Sequence, residues 1–202
     1  MTEFEKRFNG LLYDAFDKEI LEDQKYTHRL CDEYNRLTVD DEEKKQEILH
    51  QLFPHDDFGL YRIIESPSFI DNYKELKIGK NFYANIHFSY IGGCHAEIGD
   101  NVFIGPYCVL ATGMHAYLPE ERNIKVDKDG TLHDYEYGRP IKICDNVWIA
   151  SNVTICGGVT IGEGCVIGAG SVVTRDIPPR SLAAGNPCRV IRPITEVDRL
   201  NK

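Results

Sequence analysis

From Ile143 onward the chain places an aliphatic residue at every sixth position: Ile143, Ile149, Ile155, Ile161, Ile167 and Val173. That spacing fits neither the 3.6-residue period of an α-helix nor the two-residue alternation of a single strand. It is the period of a parallel β-helix, in which each hexad forms a short strand and a turn and three hexads close one triangular coil. The residue after each aliphatic is small or polar (Cys144, Ala150, Cys156, Gly162, Gly168, Thr174). The residue four positions on is small or medium-sized (Val147, Val153, Val159, Cys165, Ser171, Ile177). The aliphatic side chains point into a narrow prism. The small ones let the backbone turn and the coils stack, burying a column that no isolated coil could bury.

The pattern extends upstream through Ile98, Gly99, Val102, Ile104, Gly105, Cys108 and Leu110, and further back to Ile78, Gly79 and Phe82, with an irregular stretch expected around Phe88 to His95. It breaks between Leu110 and Ile141, where the chain turns polar and rich in Gly and charge. A structureless excursion of that length from a regular solenoid is usually functional, and His115 stands at its base. Before the solenoid, Ile20, Thr27, Leu30, Cys31 and Tyr34 recur at helical spacing. Thr38 and Asp40 offer N-caps for a second helix with Ile48, Leu49 and Leu52 on its inner face, ended by Pro54. A shorter helix is expected over Thr2 to Asn9. The expected organisation is a helical region over 1–57, a β-helix over 58–194 with its loop at 111–140, and a tail over 195–202.

Charge narrows the function. The net charge is −9, and residues 1–57 hold 8 Lys and Arg against 16 Asp and Glu. This reads as the solvated face of a helical hairpin, and it disfavours nucleic-acid binding, which needs phosphates neutralised by Lys and Arg. No stretch approaches the ~20 apolar residues of a membrane span, and the charged N-terminus lacks the apolar run of a signal peptide, so a cytoplasmic protein is expected. The seven cysteines are odd in number and include no CxxC, which argues against a disulfide framework or structural zinc. Cys108 and Cys165 fall at the small inward position and Cys144 and Cys156 at corners, so they read as packing thiols. No GxGxxG or P-loop is present, so a dinucleotide or nucleoside triphosphate site is not supported.

Several segments carry a resemblance. Leu12-Tyr13-Asp14, Ile78-Gly-Lys-Asn-Phe-Tyr-Ala-Asn85, Asp145-Asn-Val-Trp-Ile149, Ile167-Gly-Ala-Gly-Ser-Val-Val-Thr174, Asp176-Ile-Pro-Pro179 and Ala184-Gly-Asn-Pro-Cys-Arg-Val-Ile-Arg192 resemble motifs of the hexapeptide-repeat O-acetyltransferases, in particular the maltose/galactoside O-acetyltransferase group. The resemblance implies a left-handed β-helix, a homotrimer with active sites between neighbouring solenoids, and acetyl-CoA as co-substrate with no metal required. His115 matches the family's catalytic histidine. Ser151 matches a residue close to the thioester, and Trp148 one near the acetyl-transfer site. Ala169 and Thr174 match positions of the coenzyme A groove, and Arg189 and Arg192 its basic pair. Asp14, Asp71, Tyr83 and Asn85 match positions that hold acceptor hydroxyls.

The chemistry agrees with the residue types. O-acetylation requires an alcohol, a weak nucleophile at neutral pH, to attack a thioester carbonyl, so a base must take its proton. An imidazole is suited to this, and it gives direct transfer without an acyl-enzyme. The oxyanion needs preorganised donors, which Ser151 can supply, and Arg suits phosphate recognition. Galactoside-type members carry an acidic residue where this chain has Gly92-Gly93. The expected acceptor is therefore a hydroxyl of a sugar-like molecule, without a named sugar. A non-sugar alcohol such as an antibiotic is the alternative within the same fold. A zinc lyase resembling γ-type carbonic anhydrase would have to draw on His87, His95 and His115 and would leave the coenzyme A end unexplained. A non-catalytic module that kept the scaffold would have little need of His115 with Arg189 and Arg192.

Overall fold

The hexad period is realised as three parallel sheets around one aliphatic core, in a computed structural model that describes residues 1–200. Residues 201 and 202 of the expected tail lie outside the described residues. The first face of the prism carries strands Leu76–Ile78, Ala96–Ile98, Ile141–Ile143 and Thr160–Ile161. The second carries Arg62–Ile64, Phe82–Ala84, Phe103–Ile104, Trp148–Ile149, Val166–Ile167 and Ser181–Ala184, with Arg189–Pro193 folded back antiparallel on the last. The third carries Phe69–Ile70, Ser89–Ile91, Val109–Ala111, Thr154–Cys156 and Val172–Val173. The chain visits the faces in that order and returns one coil higher.

Register makes the hexad a column. Ile78, Ile98, Ile143 and Ile161 are successive strand partners on the first face. Ile70, Tyr90, Leu110, Ile155 and Val173 are partners on the third, and all of these residues are buried. Backbone amides bond to the next coil, as in Gly99 N to Ile143 O at 2.8 Å. The corners must be tight. A Cβ on Gly99 would lie 2.2 Å from Asp145 Oδ1. Asn81, Asn101 and Asn146 adopt left-handed φ values of 56°, 55° and 59° at successive coils of one corner, a conformation that Asn tolerates better than most residues.

The helical segments form as their spacing predicts. Helix α1 (Glu3–Phe8) starts from a capping box between Thr2 and Glu5. Helix α2 (Lys18–Arg36) starts at Asp17, whose carboxylate accepts from the amides of Glu19 and Ile20, and it buries Ile20, Thr27, Leu30, Cys31 and Tyr34. Helix α3 (Glu42–Leu52) buries Ile48, Leu49 and Leu52. Its N-cap is Asp41, not Thr38 or Asp40. The Asp41 carboxylate turns back to the Thr38 amide and hydroxyl, at 2.8 Å each, so it closes the interhelical turn instead of capping the helix. Leu30, Cys31, Tyr34, Leu49 and Leu52 join one core with Ile64 and Ile70, so the hairpin closes the lower end of the prism.

Two readings of the sequence need correction. The stretch from Phe88 to His95 is not irregular throughout: Phe88 and Tyr90 sit buried in the regular column, and only the corner from Gly92 to His95 departs from it. Nor is 111–140 structureless. It contains strands Gly113–Met114 and Tyr135–Gly138, a helical turn at Pro119–Arg122 and a hairpin of Lys125–Val126 with Leu132–His133. Spacing along the column shows where the chain exceeds six: Ile70 to Ile78, Tyr90 to Ile98, and Leu110 to Ile143. All three departures fall at the corner between the third and first faces, so the chain places its extra residues on one edge of the prism.

The outward faces differ in character. Lys77, Glu97, Lys142 and Thr160 line up on the first. Ile63, Tyr83, Phe103, Trp148, Val166 and Leu182 line up on the second.

Because the column is close-packed, Ile155→Ala is expected to cost about 2–5 kcal/mol, measured as a lowered midpoint in chemical denaturation. A change within about 0.5 kcal/mol, the usual range of surface substitutions, would contradict a close-packed column.

Candidate active site

His115 follows directly on strand Gly113–Met114, which pairs antiparallel with Tyr135–Gly138, and that strand pairs in turn with Tyr13–Asp14. This small sheet ties the excursion to the N-terminal segment and brings residues distant in sequence onto one face. His115 Nε2 lies 3.7 Å from Glu136 Oε1, and the Tyr13 hydroxyl donates to Glu136 Oε2 at 2.8 Å. The imidazole is half exposed, while Tyr13 is buried. Burial, the first cause, pushes the Tyr13 phenol well above its ordinary value, with the Arg7 charge opposing and Glu136 adding to the rise, so the phenol stays protonated and donates. At 3.7 Å the Glu136 carboxylate is beyond ordinary hydrogen-bond reach of the ring nitrogen.

Asp14 belongs to the same sheet. Its carboxylate accepts from the amides of Phe16 and Asp134 and meets His133 Nδ1 at 2.6 Å. Burial disfavours its charge, but the His133 contact and the backbone amides outweigh this, so its pKa is lowered. His133 also meets Asp127 through Nε2 at 3.2 Å. The Asp14 contact, opposed by partial desolvation and helped by Asp127, raises its pKa.

Asp71 sits at the equivalent corner two coils lower. Its oxygens take Arg7 Nη2 at 2.8 Å, Gln24 Nε2 at 3.0 and 3.1 Å, and His28 Nε2 at 3.2 Å.

The remaining sequence candidates lie elsewhere. Tyr83 and Trp148 point outward from the second face, and Asn85, Ser151 and Ala169 occupy the corner between the second and third faces. Within one chain the third sheet separates them from His115. Thr174 follows the third face and so lies on the His115 edge. Arg189 and Arg192 are exposed on the terminal hairpin, where Arg192 is bidentate to Asp198. The three histidines of a zinc reading do not gather in this chain. His87 stacks on Tyr107 at 4.5 Å at the second-to-third corner, and His95 Nδ1 lies 2.9 Å from Phe8 O. Among the described residues, His115, Asp134 and Glu136 are the only group of such side chains close enough to hold a metal ion, their ligand atoms lying within 4.8 Å.

Sequence reasoning missed Glu136, His133 and Arg7 as members of this region. Tyr135-Glu136-Tyr137 does alternate as a strand does, but nothing in it points to His115.

The contact between His133 and Asp14 has a defined pH window. Its contribution is fully present below the ordinary histidine value, is lost as pH rises through the raised folded value, and at acid pH is lost again as Asp14 protonates. His133 is expected to titrate above 6.5 in an NMR titration, and Asp14→Asn is expected to bring it down. An unchanged His133 titration in that variant would break the pairing.

Known proteins place this geometry. A family model described as the maltose acetyltransferase hexapeptide capping motif matches residues 6–56, and one described as bacterial transferase hexapeptide (six repeats) matches residues 140–175. The galactoside O-acetyltransferase of Escherichia coli K12 is 40% identical over 83% of this chain and 77% of its own length. A maltose O-acetyltransferase structure from Clostridium difficile 630 superposes with a TM-score of 0.87 at 41% identity, covering 97% of this chain and 99% of that one. A hexapeptide-repeat acetyltransferase from Vibrio cholerae, solved with acetyl-coenzyme A, superposes with a TM-score of 0.82 at 30% identity over 97% of this chain and all of that one. With a β-helix of six-residue period, a matching helical cap and these relatives across nearly its whole length, the chain belongs to the maltose/galactoside O-acetyltransferase group of hexapeptide-repeat acyltransferases and is an acetyltransferase.

Proposed function

We propose that this enzyme transfers the acetyl group of acetyl-CoA to a hydroxyl of a sugar-like acceptor, by direct attack, with His115 as general base. The observation that carries the reading is the Tyr13–Glu136–His115 arrangement at the edge where the solenoid places its extra residues. His115 Nε2 takes the acceptor's proton as the hydroxyl oxygen bonds to the thioester carbonyl carbon. Glu136, fixed by the Tyr13 hydroxyl, stabilises the imidazolium that results. Collapse of the tetrahedral species expels the thiolate, which recovers the proton from His115. Asp14, Asp71, Tyr83 and Asn85 are assigned to the acceptor. Trp148, Ser151, Ala169, Thr174, Arg189 and Arg192 are assigned to acetyl-CoA, with Arg189 free of any carboxylate partner among the described residues. The reading calls for no metal. A cytoplasmic setting belongs to it and is supported by seven free thiols.

The same reading requires self-association. Within one chain Ser151 and Ala169 stand on the opposite edge of the third face from His115, so a complete site needs a second copy. The outward row of the second face supports this. Ile63 is 40% exposed, Phe103 45% and Trp148 54%, and a contiguous apolar row of this kind marks an interaction surface. Three copies related by a threefold axis along the solenoid bury three such rows and form three equivalent sites.

His115→Ala is expected to lower acceptor-dependent thiol release from acetyl-CoA by about 100-fold to 10,000-fold, with acetyl-CoA binding retained. Undiminished turnover would remove His115 from the mechanism. Phe103→Glu, which buries a charge in the proposed interface, is expected to convert a trimer to monomer in light scattering and to abolish transfer with it. A monomer with full activity would refute a shared site.

A further inference from the structure

The corner below His115 holds a buried ion cluster. Arg7, from α1, is 2% exposed, and the Glu75 side chain has no exposure at all. Arg7 Nε and Nη2 both donate to Glu75, the latter at 3.1 Å, and Nη2 also donates to Asp71 at 2.8 Å. Glu75 Oε2 further accepts from the Tyr90 hydroxyl at 3.2 Å and the Gly93 amide at 3.4 Å. Burial pushes the Glu75 carboxyl up and the Arg7 charge pushes it back. Burial likewise opposes the Arg7 charge, and the two carboxylates more than restore it. Gly92 leaves room for the cluster as it stands. A Cβ there would lie 2.5 Å from Arg7 Nη2, 2.5 Å from Glu75 Oε2 and 2.7 Å from Asp71 Oδ2.

The cluster also reaches the base. The Arg7 guanidinium carbon lies 5.5 Å from the centre of the Tyr13 ring, and the Tyr13 hydroxyl holds Glu136 opposite His115. Gly92 and Gly93 pack on Gly113, two residues before His115: a Cβ on Gly93 would lie 2.4 Å from the Gly113 Cα. A single buried fork therefore fixes an acceptor-side carboxylate and supports the ring behind the base.

We infer that Arg7 and Glu75 are positioning residues that set the acceptor subsite: as a pair they fill the space a side chain at 92 would occupy, hold Asp71 in place and register it against Tyr13 and Glu136. The inference rests on the proposed acceptor role of Asp71. Its consequence is a particular acceptor pocket. The Glu75 carboxylate is saturated by protein donors, so the pocket reads an acceptor through a fixed Asp71 edge and not through a carboxylate carried at 92.

The test compares wild type, Arg7→Lys, the charge-neutral double variant Arg7→Met with Glu75→Gln, and His115→Ala. Maltose and methyl β-galactoside serve as acceptors, with KM and kcat measured for acceptor and for acetyl-CoA, and thermal midpoints recorded. The single change Arg7→Met is avoided because it strands a buried carboxylate. In the double variant the acceptor KM is expected to rise about tenfold or more, the loss of a charge-assisted hydrogen bond, with the acetyl-CoA KM within about twofold and the thermal midpoint near wild type. Arg7→Lys keeps the charge but not the fork and is expected to leave the acceptor KM raised. An acceptor KM within about twofold of wild type in the double variant, or one raised only together with the acetyl-CoA KM and a lowered thermal midpoint, would overturn the inference and leave a purely structural pair. Transfer that survives in His115→Ala would instead overturn the base assignment, and the acceptor KM comparison would still decide Arg7 and Glu75.

Discussion

The structure depends on a closed prism only wide enough for one layer of side chains from each face. Ile78 over Ile98 over Ile143, and Leu110 over Ile155 over Val173, leave no space for an extra residue within a strand without rotating the next side chain out of the core. Additional chain can leave only at a corner. Of the three corners, one takes all of it: Asp71 to Glu75, Gly92 to His95, and the excursion that starts after Ala111. The edge that escapes the packing constraint is the edge that carries His115, Glu136 and Asp71. The proposed chemistry lies where the core ceases to dictate sequence.

A corollary concerns rigidity. An excursion from a solenoid would ordinarily be a mobile loop, and a base on a mobile loop is poorly positioned. Here the excursion is bonded back at two levels. Strand Tyr135–Gly138 is clamped between Gly113–Met114 and Tyr13–Asp14, and the hairpin beyond it is latched by His133 to Asp14. The N-terminal segment thus does two jobs at once. Its helices close the apolar end of the prism, and its strand and Arg7 brace the site. This explains why a helical cap so rich in acidic surface still contributes Arg7 and Tyr13 to the buried interior.

The fold was legible because a period of six has one structural solution, and the helical spacing identified the buried residues of α2 and α3 one by one. What spacing could not show is what an insertion does. Tyr90 takes an aliphatic position in the column, and its hydroxyl reaches Glu75, so the stretch around it looked irregular when it is regular except for its corner. Asp41 lies beside both expected caps, but its carboxylate prefers the Thr38 hydroxyl, a local competition that the residue types alone leave undecided. At the proposed site, His115 drew attention from its place at the base of a long break. Glu136, His133 and Arg7 were not, since each is defined by partners 21, 119 and 68 positions away.

Gly92 shows how one missing side chain is read differently once its neighbours are known. From the sequence, Gly92-Gly93 signifies a hydrogen-bond acceptor lost from the pocket. In the structure the same absence makes room: the carboxylates of Glu75 and Asp71 and the guanidinium of Arg7 stand where a side chain at 92 would be. The corner holds one guanidinium shared between two carboxylates. In the proposed reading it braces the acceptor pocket, and Glu75, buried and fully bonded, serves as a brace and not as a contact. Selectivity then follows from which carboxylate oxygens remain unsaturated at the wall. The four contacts to Asp71 from Arg7, Gln24 and His28 take up most of the capacity of that group. An acceptor that binds here must fit a wall already organised by the protein, so shape and the placing of its reactive hydroxyl weigh more than the number of its other hydroxyls.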